Sequence, residues 1–245
     1  MDDKNKVSRR NFVKACSMMS GAVALNPSLL AASGQPLQQA DDALLTDPAG
    51  APLNGRNLLP GKSYVFHYPY ATTPCFLLNL GRRIGKTADL ETESGDRYNW
   101  NGGVGPDGSI VAFSAICAHK MSYPTRRVSF INYRHDGMPG TSPGQSQRPV
   151  IYCCSEGSVY DPADGARVLS GPAPQPLAAV ALDYDDETGQ ITAAGVYGGD
   201  MFRQFFDEFG FQLALETRSS DVNAFVGTTS TVWPIEEYCT NPAPC

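Results

Sequence analysis

Charged residues are scarce in this chain, at 18% of 245 positions, and the formal charge is −6. An acidic surface of this kind argues against a nucleic-acid ligand and favours a basic or neutral protein partner. Histidine occurs only three times and tryptophan twice. No apolar run reaches the ~20 residues that a membrane-crossing helix needs. Repeats and low-complexity runs are missing. So are a hydrolytic triad and a phosphate-cradling glycine loop, which removes the common hydrolase and nucleotide-binding classes. Glycine and proline, by contrast, are abundant at 24 and 19, beside 11 Tyr, 11 Phe and 42% hydrophobic residues. Such a composition predicts a loop-rich, mostly β protein with a real core. The length suits one sizeable domain or two small ones.

The first 33 residues read as an address. Residues 8–14 place Arg9 and Arg10 before Phe12 and Lys14, a pattern that resembles the bacterial twin-arginine export signal. A modest apolar stretch over 15–25 follows, interrupted by Pro27, and then the small residues Ala31, Ala32 and Ser33. This fits a removable signal with a small-residue cleavage site, and a periplasmic destination. Membrane anchoring would follow only if the signal stayed uncleaved. Cys16 precedes the apolar stretch and is poorly placed for lipidation. Without residues 1–33 the charge falls to −9.

Residues 34–60 carry Gln, Asp, Pro and Gly without periodicity and read as a linker or surface strap. Aromatic and branched residues over 63–70 and 75–80 predict strands. His67 and Cys75 lie in these and read as packing residues. Turn signals fill 81–108. A strand over 109–116 then runs straight into Cys117. Residues 128–133 predict another strand, and 135–147 a Gly/Pro/Ser loop that contains His135. Residues 177–184 and 190–195 predict a closing hairpin. Beyond residue 199 the pattern changes: apolar residues at 201, 202, 205, 206 and 209 have helical spacing, weakened at Gly210. Cys239 and Cys245 end the chain and could pair in an exported protein.

Two short stretches carry the chemistry. The first holds Cys117 and His119 in a Cys-x-His pattern. The second, residues 151–162, holds Cys153, Cys154 and Glu156, followed by Gly157, Ser158, Tyr160 and Asp161. A proline-rich stretch, Gly171 to Leu177, comes next. Over roughly residues 60–198 the chain resembles the Rieske iron–sulfur proteins, in which a Cys-x-His and a later Cys-x-x-His hold a 2Fe–2S cluster. The resemblance implies an all-β fold, a Rieske-like antiparallel β sandwich (61–198) with a small cluster-binding subdomain, and a C-terminal helical extension (199–245). It also implies that a proline loop at 171–177 shields the cluster, because prolines fix the backbone and exclude water.

The second histidine of the pattern is missing, and two registers remain open. In one, Cys153 is the thiolate and Glu156 fills the place of the imidazole. In the other, Cys154 is the thiolate and Gly157 stands where histidine would be. Serine at both 122 and 155, where respiratory members carry a loop-to-loop disulfide, favours the first. His135 is the one candidate for a replacement imidazole. The resemblance implies electron transfer, as a subunit that meets a redox protein partner within a larger periplasmic oxidoreductase. Two rivals remain: a fold that has lost its cluster and serves as a structural or interaction subunit, and a single zinc or iron ion on Cys117, His119 and Cys153 or Cys154.

Overall fold

The computed structural model describes residues 40–84, 87–138 and 148–243. The twin-arginine segment, Cys16, Cys245 and residues 139–147 of the Gly/Pro/Ser loop lie outside them.

The chain begins with β1 (Ala43–Thr46), β2 (Ser63–His67), β3 (Pro74–Asn79), β4 (Ala88–Glu91), β5 (Arg97–Trp100) and β6 (Ile110–Ser114). The middle supplies β7 (Val128–Ser129), β8 (Ile131–Arg134), β9 (Val150–Cys153), β10 (Ser158–Asp161) and β11 (Arg167–Ser170). After β12 (Ala179–Tyr184) and β13 (Ile191–Tyr197) comes helix α1 (Met201–Thr217). The last elements are β14 (Thr229–Thr231), β15 (Trp233–Pro234), the short helix α2 (Ile235–Tyr238) and β16 (Asn241–Pro242). The fold is all-β with a C-terminal helix.

Eight strands form the main sheet in the order β14-β1-β13-β12-β6-β3-β2-β15, and four form a smaller sheet, β11-β10-β9-β8. The pairs are antiparallel except β1 with β14, and β7 with β16 in a two-stranded ladder. Strands β12 and β13 make the expected hairpin. The stretch read as a linker is corrected in part: residues 43–46 form β1, inserted between β13 and β14. Likewise the C-terminal extension is more than helical, since β14 and β15 add both edge strands of the main sheet.

Side chains alternate across a strand, so the main sheet separates two cores. Cys75 and Leu77 of β3, with Ala112 of β6, face one core together with Phe202, Phe205 and Leu213 of α1. Phe76 and Leu78, with Val111 and Phe113, face the other, against Leu90, Trp100, Ile151 and Tyr160. Strands buried on both faces explain why 75–80 and 110–114 read as continuous apolar runs rather than alternating ones. Each fully buried Phe here contributes about 2–3 kcal/mol. Cys117 and Cys153 lie in the second core.

Helix α1 forms where its spacing predicts it and ends at Arg218, whose φ of 55° is left-handed. It braces the segment after Cys117. Tyr123 donates to Glu216 Oε2 (3.2 Å) and accepts from Gln212 Nε2 (3.0 Å), while its ring meets Phe205 edge-on. Among the described residues no helix is long and apolar enough to cross a membrane.

His67 packs as expected of a residue in an aromatic strand. Its Nε2 lies 3.1 Å from Tyr238 Oη, and the Arg126 guanidinium sits 4.4 Å above the Tyr238 ring. Burial, and then Arg126, lowers its pKa from 6.5 to about 4. A folded-state value below the unfolded one means that the unfolded chain binds the extra proton. Stability is therefore whole above pH 6.5 and is lost as pH falls toward 4, by about 2 kcal/mol once partial exposure is allowed for. His67→Gln, which keeps a partner for Tyr238, should show a correspondingly shallower loss. Urea midpoints at pH 7 and pH 4.5 for both proteins measure it; equal losses would refute the assignment.

Candidate metal centre

Strand β6 and the residues after it deliver the first loop. Ser114 N–H donates to Ala178 O, Ala115 N–H to Pro74 O, and Ser114 Oγ accepts from Ile116 N–H. These bonds fix the backbone up to Cys117 from two neighbouring segments. Strand β9 delivers the second loop and ends on Cys153 itself, which pairs with Ile131 on one side and Ser158 on the other.

The two loops have the same construction. In the first, Cys117 N–H donates to Ser122 O (2.8 Å) and Met121 N–H to Cys117 O (2.9 Å). In the second, Cys153 pairs with Ser158, and Gly157 N–H donates to Cys153 O (2.8 Å). The residue four after each cysteine has positive φ: 51° at Met121 and 79° at Gly157. The backbone N–H groups two and three residues on (His119 and Lys120, Ser155 and Glu156) point at the sulfur of their own loop's cysteine. Cys153 thus occupies in its loop the place that Cys117 holds in the other, and Glu156 stands three residues beyond it.

The structure brings Cys117 and Cys153 together. Both are buried in the same core cluster, close enough that each thiol shifts the titration of the other. Donation from the Cys153 thiol, the Tyr160 hydroxyl and the two loop amides holds the Cys117 pKa down to about 6, against the opposing effect of burial. Cys153 moves the other way, because its partner takes the negative charge and burial disfavours a second one. A buried pocket that already stabilises one thiolate, with amides aimed at both sulfurs, is suited to a cation that would stabilise two.

His119 is partly exposed, and its Nδ1 is buried without a hydrogen-bond partner among the described residues. An orphaned ring nitrogen costs about 1–3 kcal/mol unless something binds it. Glu156 is exposed at the tip of the second loop. Cys154 is disulfide-bonded, and a sulfur so engaged is not a thiolate ligand. Among the described residues no group of three or more His, Cys, Asp or Glu side chains is set to hold one metal ion.

Two other readings change. His135 is not brought to the site. It follows Arg134, which pairs with Val150, and so lies about 13 Å along the strands from Cys153. Its Nδ1 meets Tyr133 Oη at 3.2 Å. The proposed Cys239–Cys245 pair also fails, since Cys239 is a free, buried thiol.

Tyr160 is a site residue that sequence reasoning placed in the motif without giving it a role. Its hydroxyl lies 3.3 Å from Cys117 Sγ and accepts from Ala118 N–H at 3.2 Å. The only available signal was its type: a buried tyrosine needs a partner for its hydroxyl.

The proline stretch begins at Gly171, which rests on the second loop. With φ of 91°, a Cβ there would come 2.5 Å from Gly157 O and Ser158 Cα. Gly171→Ala should therefore push the two segments apart and destabilise the protein by about 2–3 kcal/mol. Chemical denaturation measures this, and an unchanged midpoint would contradict the packing.

No protein-family model matches the chain. Among solved structures the chain is similar to the soluble domain of the Rieske protein II of Sulfolobus acidocaldarius. The two share 32% sequence identity over 56% of this chain and 68% of that one, with a TM-score of 0.39.

Proposed function

We propose that this protein transfers electrons through a 2Fe–2S cluster, as a Rieske-type subunit of a periplasmic oxidoreductase. The observation that carries the reading is the pair of like-built loops that set Cys117 against Cys153, beside the unpartnered Nδ1 of His119. Two thiolates and an imidazole of this kind fit the cysteine and histidine sides of such a cluster. Cys117 and Cys153 would hold one iron. His119 would hold the other, nearer the surface, with Glu156 in the place of the second imidazole. When bound, the cluster supplies one-electron chemistry at a fixed potential. The chain's own part is to keep the sulfurs dry, donate hydrogen bonds to them from loop amides and Tyr160, and leave the His119 side partly exposed toward a redox protein partner.

Export by the twin-arginine route belongs to the same reading, since that route carries folded proteins with cofactors in place. Changing Arg9 and Arg10 to lysine should then hold the protein in the cytoplasm, and an unchanged periplasmic yield would refute it.

Iron content and the visible spectrum of natively exported protein test the function. Two irons and two sulfides per chain, with visible absorption, are expected. A colourless, iron-free protein would leave the structural or interaction reading in its place.

A further inference from the structure

Strands β6 and β12 are neighbours in the main sheet, yet they pair only through Ala179 with Phe113 and Val180 with Ala112. Strand β12 runs on to Tyr184 beside β13. From residue 181 its other edge has no strand partner among the described residues. Peptide groups alternate sides along a strand. Ala178 O accepts from Ser114 N–H on the β6 side, so Val180 and Leu182 turn their N–H and C=O the same way. Val180 meets Ala112. Leu182 meets no strand, because Ile110, opposite it, gives its N–H to Val104 O (3.1 Å) and its C=O to Val104 N–H (2.8 Å). The strands part here, and a cavity of about 290 Å³ opens between them. Leu182 lines it together with Gly103, Ala112 and Ala181, whose small size lets another backbone come close. Asn101, Asp183 and Tyr197 supply polar groups, and Trp100 an aromatic wall. Asn101 Nδ2 donates to Tyr197 Oη at 3.1 Å, which leaves the Asn101 amide oxygen for a donor. Asn101 and Asp183 are exposed. Asp185, Asp186 and Glu187 follow Asp183 in the β12–β13 turn, and Arg56, bonded to the carbonyls of Asp186 and Glu187, offsets one of these four charges.

We propose that this cleft binds a short extended segment of a partner protein that carries a lysine or arginine. The segment's backbone takes the free N–H and C=O of Leu182, as an added strand does. Its basic side chain lies among the Asp183 carboxylate, Asn101 Oδ1 and the Trp100 ring, where a cation gains from both charge and the aromatic face. Charge complementarity selects the occupant, since an acidic segment would meet the carboxylates of 183 and 185–187. The cleft lies at the start of β6, and Cys117 lies beyond its end. A segment held here leaves the His119 loop uncovered. Binding at this place does not depend on a cluster.

Titration of the isotope-labelled full chain with a capped pentapeptide of alternating valine and lysine tests the site. Saturable shifts of the Leu182 amide and the Trp100 indole N–H in the magnetic-resonance spectrum are expected. The same peptide with glutamate for lysine should leave both signals in place. N-methylation of its backbone amides should weaken binding about tenfold, the worth of one or two hydrogen bonds. Asp183→Asn, an exposed change that spares the fold, should weaken the lysine peptide about two- to fivefold, the worth of an exposed ion pair. No saturable shift at Leu182, or equal binding of the glutamate or the N-methylated peptide, would overturn the proposal. Each readout is the same with or without iron, so it stands apart from the electron-transfer test.

Discussion

If the chain holds the proposed cluster, Cys153→Ser should leave the protein without iron and without visible colour, whereas freshly purified Cys154→Ser should keep both. The adjacent cysteines differ completely in surroundings. Cys153 ends β9, is fully buried, and faces Cys117 with loop amides aimed at its sulfur. Cys154 is half-buried and spends its sulfur on a disulfide. Serine at 153 would replace a soft thiolate by a hydroxyl that stays protonated, and iron in such clusters is held by thiolate. Cys117→Ser should behave as Cys153→Ser does. Cys154→Ser should lower stability through its lost cross-link, a cost of about 2–4 kcal/mol for a long loop, while sparing the metal. Iron per chain and the absorption spectrum decide it. Iron retained in Cys153→Ser and lost in Cys154→Ser would reverse the register and with it the proposed ligand set.

The second large effect is expected at Glu156. With neutral imidazoles an oxidised cluster of two ferric irons, two sulfides and two thiolates has no net charge. A carboxylate in place of one imidazole makes it −1, which disfavours adding an electron. Glu156→His should therefore raise the midpoint potential into the range of mixed histidine and cysteine ligation, about −150 to +300 mV. The reduced protein should show the corresponding electron-spin-resonance signature. Gly157→His should not do this. Gly157 has φ of 79° and its N–H closes the loop onto Cys153 O, so a side chain there strains the turn that positions Cys153. Voltammetry on the parent protein and the two variants separates the cases. A cluster gained or raised in potential only in Gly157→His would reject the Glu156 position. Loss of metal in Glu156→His would show that histidine at this place cannot ligate.

The sequence alone carried the local features, because local features depend on neighbours in the chain. Residues 75–80 and 110–114 are apolar enough to be strands buried on both faces, and the spacing from Met201 to Phe209 is helical. The Cys117–His119 pair announces itself because both donors lie within one turn. What needed the tertiary structure is everything set by distant partners. Residues 43–46 have no periodicity, and they become a strand only because β13 and β14 offer edges 148 to 185 positions away. The role of Tyr160 depends on a hydroxyl meeting a sulfur 43 residues earlier. His135 looked available in the sequence, yet the pairing of β8 with β9 carries it to the far end of the strands from Cys153. Between Cys153 and Cys154 the sequence left both registers open, with only the serines at 122 and 155 favouring Cys153, since adjacent residues of one type are chemically identical. The fold separates them because successive side chains of a strand end point to opposite sides: one sulfur enters the core beside Cys117, and the other turns outward into a disulfide.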